Sequence, residues 1–96
     1  MSGEDRNQED SPAFALMPRY FFDTRDNQRF IPDETGVEIT TLDEVKLAAS
    51  RAMADFAKDV LPGSVVRILA IEVRDEFGPV LLVSLRFEIE HAPARN

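Results

Sequence analysis

Two hydrophobic periods divide this chain. Over residues 41–61, TLDEVKLAASRAMADFAKDVL, the apolar positions Leu42, Val45, Ala49, Ala52, Met53, Phe56 and Val60 recur at helical steps and form one stripe. Asp43, Lys46, Ser50, Arg51, Asp55, Lys58 and Asp59 fall largely between them and make the opposite side wet. Thr41, followed three residues later by Glu44, forms a capping box that fixes the helix start. Asp43 and Glu44 in the first turn and Lys58 in the last suit the helix macrodipole, and Asp59 opposes it. Pro62 cannot continue the hydrogen-bond ladder and Gly63 accepts a left-handed backbone, so the helix stops there.

The flanking segments carry the period of strands. RYFFDTR, residues 19–25, sets Tyr20, Phe22 and Thr24 against Phe21, Asp23 and Arg25, with Tyr20 and Phe22 expected to face the helix. Asp26 and Asn27 supply turn chemistry, residues 29–31 return as a short strand, and Pro32 ends it. Residues 33–36 turn again, and residues 37–39 lead into the cap.

After Gly63, VVRILAIEVRD and PVLLVSLRFEIE flank EFG and read as a hairpin. Leu69, Ile71 and Val73 share a face with Val83, Leu85, Phe87 and Ile89, which calls for an odd loop, Glu76-Phe77-Gly78, with Gly78 left-handed. The other face holds Glu72, Arg74, Ser84, Arg86, Glu88 and Glu90 beside an apolar group, Val66, Ile68, Ala70, Val80 and Leu82. Such a patch on the uncovered side of a sheet predicts a second layer, supplied by another subunit or by Phe14 and Leu16. The expected fold is two-layer α+β, a single helix on a mostly antiparallel sheet in the order β-β-α-β-β.

Composition narrows the function classes. Residues 1–16 are polar and acidic and are expected to form a disordered extension, with one domain over 17–90 and a loose tail over 91–96. The net charge is −7, and the cations are scattered without the cluster that phosphate backbones require, so no nucleic-acid partner is expected. Without cysteine there is no disulfide, thiolate metal site or cysteine nucleophile. No apolar run reaches the roughly 18 residues of a membrane span and no secretory signal is visible, so the expectation is cytoplasmic residence with no membrane partner. A folded part of this size has a marginal core, which dimerisation would reinforce.

No catalytic constellation emerges. His91 has no second histidine or cysteine, Ser50 and Ser84 have no base within reach, and there is no phosphate-binding glycine loop. Asp23, Asp26, Asp33, Glu34 and Glu38 cluster in the loops before the helix, but Arg25 and Arg29 are interleaved and the spacing fits no calcium loop. The expectation is a non-catalytic module without cofactor or metal, acting as a homodimer through Val66, Ile68, Ala70, Val80 and Leu82. A ligand or metal site at the acidic loops is the rival.

The run MPRYFFD, then IPDETGVE, the alanine-rich helix and LAIEVRDEFGPVLLVSLRFE resembles a family of small alphaproteobacterial domains of unknown function. Its members typically begin MPRYFF or MPRYYFH and carry P-D-x-x-G-x-E before the helix. The resemblance spans residues 17–90 and implies that residues 1–16 precede the usual start; where many members have histidine, this chain has Asp23. More distantly, the strand pair followed by a helix resembles the antitoxin domain of HicA-HicB systems. That likeness implies a small toxin as partner and usually a DNA-binding module, for which the residues after Glu90 leave no room.

Overall fold

The computed structural model describes residues 18–93. The expectations for residues 1–16 and for the end of the tail, including a docking role for Phe14 and Leu16, lie outside the described residues. The elements are β1 (Arg19–Asp26), β2 (Arg29–Ile31), β3 (Val37–Glu38), α1 (Leu42–Val60), β4 (Val66–Asp75) and β5 (Gly78–Glu88). All pairings are antiparallel, in the order β2-β1-β4-β5, with β3 on the β2 side of β1. The fold is thus the expected α+β arrangement with one addition. The two-residue β3, expected only as a lead-in, pairs Glu38 with Arg19 and Val37 with Tyr20.

The helix begins where the capping box places it. Thr41 Oγ1 accepts from the Glu44 amide at 3.1 Å, and Glu44 accepts from the Thr41 amide at 3.3 Å. At the other end Gly63 has φ +89°, and Ser64 donates its hydroxyl to the Val60 carbonyl at 2.7 Å. Val45, Ala49 and Met53 are buried, with Ala52, Phe56 and Val60 packed beside them. Leu42, read as part of the stripe, is instead exposed.

Burial is deepest in β4, which lies between β1 and β5 beneath the helix. Leu69, Ile71 and Val73 are essentially inaccessible, and Tyr20 and Phe22 join them from β1 as expected. Each such large apolar side chain contributes roughly 1.5–3 kcal/mol.

The body of the hairpin has the expected register, with Leu69 opposite Leu85, Ile71 opposite Val83 and Val73 opposite Leu81. The loop differs. Asp75 pairs with Gly78, so Glu76-Phe77 forms a two-residue connection, and Asp75 Oδ1 closes it by accepting from the Phe77 and Gly78 amides at 2.8 and 3.1 Å. The extra residue sits in the strand instead of the loop: a bulge leaves Val80 unpaired between Leu81, opposite Val73, and Pro79, opposite Arg74. Val80, half-buried at the bulge, packs against the buried cluster.

Candidate functional site

The sheet has one covered face, and its other face carries two features built from different residues. At the β3 end, Phe21 and Asp23 of β1 stand beside Arg74 of β4. The loop after β2 folds over them, leaving Asp23 only 4% exposed. Arg74 Nε donates to Asp23 Oδ2 at 2.7 Å, and its guanidinium also reaches the Asp33 carbonyl at 3.1 Å. The same guanidinium lies over the Phe21 ring, 4.4 Å from its centroid. Asp23 Oδ1 accepts from the Asp33 amide at 2.8 Å.

Asp33 completes this corner. One carboxylate oxygen accepts from the Phe22 amide at 3.1 Å, and the other from the amides of Thr35 and Gly36 at 3.0 and 3.1 Å. The side chain thereby substitutes for a strand along the part of β1 that neither β2 nor β3 reaches. For Asp23, burial pushes the carboxyl up, but the Arg74 hydrogen bond and the Asp33 amide outweigh it and hold it below the usual carboxylate range. For Asp33, burial likewise pushes up and is outweighed by the Gly36, Phe22 and Thr35 amides.

The acidic loops thus separate into distinct pairings. Asp23 and Asp33 meet through Arg74, whereas Asp26 leaves for the other end of the sheet, where Arg67 holds it bidentately at 2.7 and 2.8 Å. That pairing draws the Asp26 carboxyl below its usual range against the opposing effect of burial. Glu38 pairs with Arg19 at 3.5 Å, and Glu34 is exposed. Among the described residues no group of three or more histidine, cysteine or acidic side chains is placed to hold a metal ion. The carboxylates of Asp23, Asp26 and Asp33 are thus matched by arginine and backbone amides. Sequence reasoning grouped these acids but missed Arg74 as their partner. The available signal was its position on the same sheet face as Asp23, and that needs the β1–β4 register to be read.

The second feature is the outer apolar strip. Val66 is 46% exposed, Ile68 45% and Leu82 64%, while Ala70 is half-buried among them. Arg25 and Glu72, joined at 3.0 Å, and Arg86 and Glu88, at 3.2 Å, border the strip. An open depression of about 410 Å³ lies at its upper end by the Val80 bulge, between Leu82, Pro79 and the Asp23–Arg74 pair. Of the residues expected to form the interface, the fold brings Val66, Ile68, Ala70 and Leu82 to one side, while Val80, at the bulge, packs against the buried cluster and also lines the depression beside Leu82.

A family model described as a domain of unknown function, DUF6894, matches residues 19–86, the interval from β1 nearly to the end of β5. The chain belongs to the DUF6894 family. No curated protein and no solved structure matches it. Within this DUF6894 domain the P-D-x-x-G-x-E stretch has a structural explanation. Pro32 ends β2, Asp33 takes the amides, Gly36 turns at φ +73° against the Phe21 ring, and Glu38 meets Arg19 in β3. No helix of the domain is long and apolar enough to cross a membrane.

Proposed function

We propose that this DUF6894 domain is a non-catalytic protein-interaction module of the cytoplasm that acts as a homodimer, with Ile68 and Leu82 at the contact. The observation that carries the reading is the strip of Val66, Ile68 and Leu82, about half accessible on a sheet face that no helix covers among the described residues. Large aliphatic side chains in one patch, bordered by charge, favour association over solvent. A non-catalytic role is supported by the state of the reactive side chains. Asp23, Asp26 and Asp33 are engaged internally, the hydroxyls of Ser50 and Ser64 donate to helix carbonyls, and His91 is exposed beyond β5.

Light scattering over a dilution series tests the homodimer. Twice the chain mass is expected for the native protein, and the single chain mass for Ile68→Glu combined with Leu82→Glu. A native protein that stays monomeric to high concentration overturns the reading.

A further inference from the structure

We infer that the two copies join edge to edge through β5, forming one continuous antiparallel sheet about a two-fold axis at Ser84. The inference rests on the homodimer reading and moves its contact from the open sheet face to the β5 edge, with Leu82 at the seam and Ile68 one strand behind it. β5 is eleven residues long, and among the described residues nothing pairs with its outer edge. The Ile89 amide donates to the Val65 carbonyl at 2.8 Å, one step beyond the Arg67–Phe87 pair. Antiparallel alternation therefore turns Phe87, Leu85, Val83 and Leu81 toward β4 for their backbone bonds. It leaves the N–H and C=O groups of Leu82, Ser84, Arg86 and Glu88 aimed at the free edge.

The side chains select a second copy and a register. With Ser84 opposite Ser84, Val83 faces Leu85 of the second copy and Leu81 faces its Phe87, all residues that the single helix leaves only half-buried. On the outer face Arg86 falls opposite Leu82 of the second copy, so its aliphatic stem lies between that leucine and Ile68 of its own chain. No like charges oppose. Centring on Arg86 would set guanidinium against guanidinium, and centring on Leu85 would set Glu88 against Leu82. Centring on Val83 would draw Pro79 into the ladder, opposite Phe87 of the second copy.

A second observation fits this register. Phe77 at the hairpin tip is 89% exposed. Continued past the strand ends, the pairing carries this tip toward an open depression of about 510 Å³ in the second copy, at the end of α1 and β5, lined by Ala57, Leu61, Phe87 and Ile89. An unpartnered aromatic and an apolar groove of the same chain then serve each other twice.

The test uses the full chain. Ser84→Pro removes an N–H that β4 does not use, and Ser84→Lys places like charges at the two-fold axis, so both should keep the native far-UV spectrum and sediment as monomers. Phe77→Ser should weaken dimerisation at least about tenfold. Because the chain has no cysteine, Ser84→Cys should give a disulfide-linked dimer on mild oxidation, and Arg86→Cys should not. If the native chain is a dimer and both folded Ser84 variants remain dimers, the β5 seam is wrong while the homodimer stands. Crosslinking at Arg86→Cys alone overturns the register. A monomeric native chain removes the homodimer and this geometry together.

Discussion

The two edges of this sheet solve the same problem in opposite ways. At the β1 side, β2 covers three residues, β3 covers two, and between them Asp33 accepts the Phe22 amide with its own carboxylate. At the β5 side an eleven-residue strand runs bare among the described residues, apart from Pro79 and a bulge at one end. Exposed strand edges invite pairing with other chains, and folded proteins block them with short strands, loops, prolines and bulges. Among the described residues one edge is therefore finished and the other is left available. The residues needed for the finished edge are those of the P-D-x-x-G-x-E stretch, so that motif reads as edge protection.

The largest effect on stability should come from unmaking the finished edge. Asp33→Ala leaves the amides of Phe22, Thr35 and Gly36 without their acceptor. At roughly 1 kcal/mol per bond the loss is about 3 kcal/mol, a large fraction of the stability of so small a domain. Urea unfolding followed by circular dichroism measures it. An unchanged midpoint would mean that the loop backbone is satisfied without Asp33 and that the edge argument is mistaken.

The same edge should give the domain an acid limit. Asp23 and Asp33 are held below their unfolded carboxyl values, so the unfolded state binds more protons as pH falls. Their contribution is complete above about pH 4 and is lost as pH drops through the folded values. Unfolding midpoints should therefore be flat near neutrality and fall below about pH 4. In Asp23→Asn the fall should be shallower, because one of the depressed carboxyls is gone. An equally steep fall in that variant would place the acid sensitivity elsewhere.

Local pattern made most of the fold legible, and long-range geometry explains the remainder. The capping box, the Pro62-Gly63 stop and the inward alternation of β4 are set by neighbours within a few residues, and each stands where the pattern puts it. The bulge does not announce itself this way. A three-residue loop and a two-residue loop followed by a bulge satisfy the same parity, and choosing between them depends on the Asp75 side chain and on Val80 reaching the core. Asp23 and Arg74 are 51 residues apart, so their pairing follows only once β1 is registered against β4. Leu42 fits the helical period and is exposed, because periodicity gives direction around a helix but not how far the sheet extends beneath it.

The smallest and sharpest separation uses two glycines. Gly36 and Gly63 both have positive φ, at +73° and +89°, so alanine at either position bears a left-handed backbone penalty of roughly 1 kcal/mol. Their surroundings differ. A Cβ at Gly63 meets nothing within 4 Å, whereas one at Gly36 comes within 2.8 Å of the Phe21 ring. That ring lies under the Arg74 guanidinium and cannot withdraw without disturbing the Asp23–Arg74 pair. Gly36→Ala should thus cost about 2 kcal/mol against about 1 for Gly63→Ala, the excess measuring the packing of the finished edge. Combining Gly36→Ala with Phe21→Leu, which vacates part of the contact, should recover some of that excess. Equal losses at the two glycines would show that the loop yields freely over Phe21, and the rigid β1 edge would then be no more constrained than the turn that ends the helix.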